Sequence, residues 1–271
     1  MNDEGLSLRY ILDWYNWAGV DETVGDVPLS LNPKKTQDVL KRALPKVELS
    51  AQKVVADNVD VRKATTDLAQ ATLEAKSNAR ELCKKASTLE ELKNLVEHFD
   101  GCALKLTANK TVFGAGKAHA KIMFVGEAPG ADEDRIGEPF VGRSGHLLDK
   151  IIQSIALSRD DVYITNVLPW RPPGNRTPTE AEVAVCLPFL KRHIELVSPD
   201  VIVLLGGAAA NALFDNQESI SKLRGKWLEY VLPDERIIPA IATFHPAYLL
   251  RNSAQKAKVW SDFLRLKKKI F

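Results

Sequence analysis

Five short segments of this 271-residue sequence carry the side chains best suited to chemistry. They are Gly126-Glu127-Ala128-Pro129-Gly130, Glu138-Pro139-Phe140-Val141-Gly142, Asn166, Arg171-Pro-Pro-Gly-Asn-Arg-Thr-Pro178 and His245-Pro246-Ala247. Between them they offer a carboxylate, an aromatic face, an amide that both donates and accepts, and an imidazole that can donate without titrating. Each also has an ordinary structural reading. The Gly-Glu-Ala-Pro-Gly stretch reads alone as a tight strand-to-helix turn, Phe140 as core, Asn166 as a turn residue and His245 as a structural histidine.

The elements around these segments give them a common address. Ile122-Met-Phe-Val125, Val162-Tyr-Ile-Thr165, Val201-Ile-Val-Leu-Leu205 and Ile237–Thr243 are short apolar runs that read as buried strands. Between them, Ser144–Ala156 places Leu147, Leu148, Ile151, Ile152 and Ile155 at helical spacing. Thr179 and Glu182 form a capping box that opens a helix through Leu196. Gly206-Gly207 leads into an Ala-rich helix. This alternation predicts an α/β fold: a three-layer α/β/α domain on a mostly parallel four-stranded sheet. In such sheets ligands bind beyond the carboxyl ends of the strands, and three of the polar loops follow strand ends.

The N-terminal part has a different texture. Leu6–Val20 reads as a short amphipathic helix carrying Trp14, Tyr15 and Trp17, more in keeping with packing than with base stacking. Residues 20–45 read as a linker, and residues 50–82, rich in Ala and charge, as a solvated helix or a partly disordered stretch. A capping box at Ser87–Glu90 opens a helix with Leu89, Leu92, Leu95 and Val96 on one face. The expected division is a helical extension and linker over 1–86 and a catalytic domain over 87–271.

Composition sets wide bounds. Net charge is +2, which neither requires nor excludes nucleic acid. No apolar run approaches the roughly 20 residues of a membrane span, and the acidic start lacks the pattern of a signal peptide. Cys83, Cys102 and Cys186 are too few for a disulfide scaffold. A reducing cytoplasm is therefore the expected location. No phosphate-loop or dinucleotide fingerprint follows any strand, which ranks a nucleotide-binding role last.

In their order and spacing, the five segments resemble family 4 of the uracil-DNA glycosylase superfamily, the thermophile and bacterial branch, over Phe99–Phe271. The resemblance implies a monofunctional DNA repair glycosylase that flips uracil out of DNA and hydrolyses its N-glycosidic bond, leaving an abasic site. It implies that Phe140 stacks on the flipped base beside Gly126 and that Asn166 reads its Watson–Crick edge. His245 would hydrogen-bond the uracil oxygen that gathers charge. Glu127, with Asn175 assisting, would orient water or stabilise the positive sugar. DNA would be gripped by the helix start at Ser144 and by Arg143, Arg171, Arg176 and Arg251. Leu249 or Leu250 would fill the gap left by the flipped base, or else cap the core. Lys267-Lys268-Lys269 reads as a solvated helix end. The loop Arg171–Pro178 has no histidine of the kind that traps the freed sugar in some relatives, which implies turnover.

The sequence departs from the family at one place. Family 4 members usually hold a [4Fe–4S] cluster on four cysteines. Here Cys102 and Cys186 match two positions, whereas Phe99 and Trp170 occupy the other two. Two thiolates do not hold a cubane, so no cofactor or metal is expected, and the two cysteines become small buried hydrophobes. The expected enzyme is a monomer acting on uracil-containing DNA in the cytoplasm of a bacterial-type cell, near the nucleoid. Two rivals stay open: a glycosylase shifted toward hypoxanthine or xanthine, and a non-catalytic DNA-binding relative.

Overall fold

The computed structural model describes residues 61–271, residues 61–68 by their backbone alone. The helix read over Leu6–Val20 and the linker read over 20–45 lie outside the described residues. The stretch read over 50–82 is helical from Val61 onward.

In chain order the elements are α1 Val61–Cys83, α2 Leu89–His98, β1 Ala115–Gly116, β2 Ile122–Gly126, α3 Ala131–Ile136, α4 Arg143–Ser154 and β3 Tyr163–Asn166. There follow α5 Glu180–Val197, β4 Val201–Leu205, α6 Gly207–Phe214, α7 Ile220–Leu223, β5 Trp227–Val231, β6 Ile237–Thr243, α8 Pro246–Arg251 and α9 Lys256–Ile270. The sheet order is β1-β3-β2-β4-β6-β5. Its four central strands are the four read from the sequence, and they run parallel. The expected count of four is exceeded, because β1 and β5 add an antiparallel strand at each edge and make six among the described residues. β1 spans two residues, and β5 (Trp-Leu-Glu-Tyr-Val) lies half in solvent with only Tyr230 buried. Neither produces the continuous apolar run that marks a strand covered on both faces.

Successive side chains of a strand point to opposite faces, and here both faces are covered. Met123, Val125, Ile202, Leu204, Ala240 and Ala242 pack toward α2, α5 and α6, together with Ala79 and Cys83 from the end of α1. Ile122, Phe124, Val201, Val203, Leu205 and Ile241 pack toward α4 and α9, against Leu148, Ile152, Val259, Phe263 and Leu266. This is the three-layer arrangement that the alternating pattern predicts. Truncating one of these residues, Ile152 for example, would cost about 2–5 kcal/mol.

The helix starts are fixed by side chains. Thr179 accepts from Glu182 N at 3.2 Å while Glu182 accepts from Thr179 N at 2.8 Å, as the sequence predicts. At α2 the box is shifted by one residue from the expected Ser87–Glu90: Thr88 is the cap and Glu91 its partner, with Ser87 N also donating to Glu91 at 2.6 Å. Both registers contain a hydroxyl and an acid three residues apart, so spacing alone does not separate them.

The parallel register aligns the carboxyl ends of the strands. Gly126 faces Asn166 across β2 and β3, and Leu205 faces Thr243 across β4 and β6. Buried Asp262 on α9 accepts from Thr243 Oγ1 and Arg224 Nη2, each at 2.7 Å, and so fastens the end of β6 two residues before His245. Deeper in the core, His193 of α5 pairs with the Tyr163 hydroxyl at 2.8 Å and stacks on Phe113. Burial lowers the His193 pKa from 6.5 to about 3.

That shift sets a pH dependence of stability. As pH falls, the unfolded chain takes up a proton at His193 before the folded one does. The stability held by neutral His193 is therefore complete above about pH 6.5 and is lost progressively toward pH 3. His193→Gln, which keeps a hydrogen-bonding group for Tyr163 but cannot titrate, is expected to lower Tm at neutral pH and to flatten its decline below pH 6. Thermal melts from about pH 8 to pH 4 test this, and an unchanged slope would contradict it.

Candidate functional site

The sheet brings most of the sequence-derived residues to one cavity of about 430 Å³ at the strand ends, lined among others by Glu127, Phe140, Ser144, Asn166, His245 and Arg251. Its floor begins at the last pair of β2 and β3. A Cβ on Gly126 would lie 2.6 Å from Phe140 Cζ and would also overlap Asn166 Oδ1. The missing side chain is therefore what lets the Phe140 ring and the Asn166 amide stand side by side. Both residues are buried. Asn166 Oδ1 is buried with no hydrogen-bond partner among the described residues, a condition that costs about 1–3 kcal/mol in a closed interior. An orphaned acceptor beside a flat aromatic face suits a planar ligand that presents an N–H at its edge.

Phe140 adopts a left-handed backbone, φ 54°, which a bulky residue rarely takes without support. Around it, buried Glu133 accepts from Val141 N at 3.0 Å, Gly142 N at 2.9 Å and Gly130 N at 3.1 Å. One carboxylate thus ties the turn after β2 to the turn that carries Phe140. The sequence reading did not single out Glu133; its available signal was the three-residue spacing from Gly130 at a helix start. Arg159, also not singled out, donates to the carbonyls of Pro139 and Phe140.

His245 caps α8 and sits with its ring centroid 5.6 Å from that of Phe140. Its Nδ1 accepts from Ala247 N at 3.1 Å. A ring nitrogen that accepts a backbone N–H carries no proton, so in the neutral ring the proton is on Nε2, which is then a donor. Burial, with the nearby Arg251 charge, lowers its pKa to about 4. The histidine is therefore a neutral donor over the physiological range. Glu127, half-buried at the mouth, has its carboxyl pushed above the ordinary range by desolvation.

The other expected residues divide. Ser144 in the first turn of α4, Arg251 and Asn175 line the cavity. Asn175, also left-handed at φ 53°, accepts from Arg171 Nε at 2.7 Å, so these two residues brace one another at the loop surface. Arg176 lines the cavity but is held in a two-pronged ion pair with Glu182, at 2.9 and 2.6 Å. Arg143 is exposed at the start of α4. Leu249 is fully buried in the core on the α4–α9 side, and this withdraws it from the DNA-contacting set; its neighbour Leu250 is exposed on the same helix.

The cysteine positions can be tested against a four-thiolate cluster. Cys102 and Cys186 are both buried. Interaction with Cys102, together with burial, holds the Cys186 thiol well above its ordinary pKa. Phe99 and Trp170 are buried in the same core. Phe99 packs edge-on against Phe189 at 4.9 Å, and Trp170 Nε1 donates to Thr111 Oγ1 at 3.1 Å. Among the described residues no group of three or more His, Cys, Asp or Glu could hold a metal ion. Two buried cysteines among aromatic rings do not supply the four thiolates that a cubane needs.

Comparison with known proteins agrees with this geometry. Residues 113–264 match the family described as the uracil DNA glycosylase superfamily. The type-4 uracil-DNA glycosylase of Thermotoga maritima is 44% identical over 176 residues, covering 63% of this chain and 90% of the relative. That of Archaeoglobus fulgidus is 42% identical over 185 residues, covering 66% and 92%. That of Sulfurisphaera tokodaii is 40% identical over 185 residues, covering 66% and 84%.

The histidine gives a direct check on the site. Nitrogen-15 NMR of labelled protein is expected to show His245 as the neutral, Nε2-protonated tautomer from about pH 8 down to about pH 5. A His245 that titrates near its ordinary value would contradict the assigned burial and hydrogen bond.

Proposed function

The chain belongs to the uracil DNA glycosylase superfamily, and on that premise we propose that it excises uracil from DNA by hydrolysing the N-glycosidic bond and leaving an abasic site. The observation that carries the reading is the buried, unpartnered Asn166 Oδ1 beside the Phe140 ring. Uracil supplies what that oxygen lacks, an N3–H on a planar ring, and offers a carbonyl to the amide nitrogen next to it.

In this reading DNA presents the flipped nucleotide at the cavity mouth. Phe140 stacks on the base and Asn166 holds its edge. As the glycosidic bond breaks, the electron pair leaves with the base and the sugar becomes cationic. His245 donates from Nε2 to the uracil oxygen that gains charge, and no proton need transfer for it to do so. Glu127, as a carboxylate, steadies the positive sugar and orients the attacking water; Asn175 assists from the loop. Water adds to the sugar carbon, and the proton it loses is balanced by protonation of the departed uracil anion from solvent, so the products are free uracil and an abasic site. Ser144 and Arg143 at the start of α4, Arg251, Arg171 and Arg176 meet phosphates, Arg176 only by giving up its pair with Glu182. Leu250 takes the space of the flipped base.

We propose further that the protein works as a monomer, in the cytoplasm, without an iron–sulfur cluster or other cofactor. The cluster-free reading is supported by the donor set around Cys102 and Cys186. Among the described residues no helix is long and apolar enough to cross a membrane.

Two measurements test this. Wild-type protein is expected to release uracil from a singly substituted oligonucleotide, read as alkali-labile abasic sites, with His245→Ala and Asn166→Ala each slowed by about 100- to 1000-fold. Silence on uracil with cleavage at hypoxanthine or xanthine would move the substrate, and silence on all of them would leave a DNA-binding protein. Purified protein should carry no stoichiometric iron or sulfide, and Cys102→Ala should keep its activity; a full complement of both elements would overturn the cluster-free reading.

A further inference from the structure

We propose that Arg159 is a positioning residue for base recognition, which holds Phe140 in its left-handed conformation without itself reaching the cavity. The inference rests on the reading above that Phe140 stacks on the flipped base.

Phe140 is a bulky residue at φ 54°, and such a backbone persists only where its surroundings over-determine it. Three features do so. Arg159 donates from Nη1 to Phe140 O at 3.0 Å and from Nη2 to Pro139 O, one guanidinium spanning two successive carbonyls. The same Nη1 donates to Asp149 of α4 at 3.0 Å, which fixes the guanidinium in place. On the other side of the turn, Glu133 accepts from Val141 N and Gly142 N. Gly145 completes the seat, because a Cβ there would collide with the Phe140 carbonyl. The carbonyls of the turn are thus held by a cation and its amides by an anion. Planar, two-pronged donation of this kind is a property of arginine that lysine does not share.

Arg159 lies after α4, 19 residues beyond Phe140, and among the described residues its side chain hydrogen-bonds the backbone of the turn and Asp149. Its effect on chemistry must therefore pass through the Phe140 ring, which lies between Gly126 and His245. If the turn relaxes to an ordinary backbone, the ring leaves its place beside Asn166. The stacking face and the edge reader then no longer share one plane of approach.

A double-mutant cycle separates positioning from general stabilisation. Single-turnover uracil excision is measured below the melting range for wild type, Arg159→Met, Arg159→Lys, Phe140→Ala and the Arg159→Met/Phe140→Ala pair. Arg159→Met is expected to slow excision by about 10- to 100-fold, and Arg159→Lys by less. Phe140→Ala should slow it as well, and the pair should be no slower than Phe140→Ala alone. Losses that multiply in the pair, or a wild-type rate for Arg159→Met, would overturn the proposal. If Arg159→Met does not fold, the same cycle run with Arg159→Lys decides the question. Equal rates for wild type and Phe140→Ala would instead refute the stacking reading. Amide hydrogen exchange at Val141 and Gly142 reads the turn without reference to any substrate. Arg159→Met should speed exchange there and leave β4 unchanged, and unchanged exchange at both amides would refute the clamp even in a protein that leaves uracil alone.

Discussion

The site is organised around a close approach that one glycine permits. At the paired ends of β2 and β3, Gly126 leaves room for the Phe140 ring and the Asn166 amide to meet over its Cα, where a methyl group would overlap both. The register that brings Gly126 opposite Asn166 is itself set by the burial of β2 on both faces, because a slip of one residue would exchange the core-facing sets. Packing of the sheet therefore reaches the chemistry through a backbone pair rather than through a chain of side chains.

Around that approach the fold keeps several groups in states that are unfavourable on their own. Asn166 Oδ1 is buried without a partner. Phe140 is left-handed. His245 is denied its proton by burial and Glu127 is partly desolvated. Costs of this size, on the order of 1–3 kcal/mol each, are offset by the two hydrophobic layers flanking the sheet. Buried charges that are fully hydrogen-bonded hold the loops in place: Glu133 on three amides and Asp262 on Thr243 and Arg224. The unsatisfied Asn166 oxygen belongs to a residue that lines the cavity, where a ligand edge can satisfy it.

Much of this was legible in the sequence, for physical reasons. Continuous apolar runs mark strands covered on both faces, helical spacing marks α4 and a capping box marks the start of α5, so the central sheet and the common rim could be read directly. The edge strands could not: β1 is too short and β5 too exposed to carry the pattern. Glu127, Asn166 and His245 stood out because they sit in short motifs at strand ends, and Phe140 because its motif follows the first of them in order. Glu133 and Arg159 did not, because their contacts are with backbone groups brought close only by the fold. Leu249 and Leu250 are adjacent in sequence, and only the docking of α8 decides which of them is core. The pairing of Arg176 with Glu182 follows from a capping box that was read, yet the arginine could not be assigned to it from spacing alone.

In the proposed reading Asn166 Oδ1 waits for the N3–H of uracil. That pairing is tested most directly by single-turnover excision from two oligonucleotides that differ only in one base, uracil in the first and N3-methyluracil in the second. A site built around an unmet acceptor should excise uracil and reject the methylated base by at least about a thousandfold. Excision of both at similar rates would mean that the buried oxygen does not read the base edge, and the account of the site would fail with it.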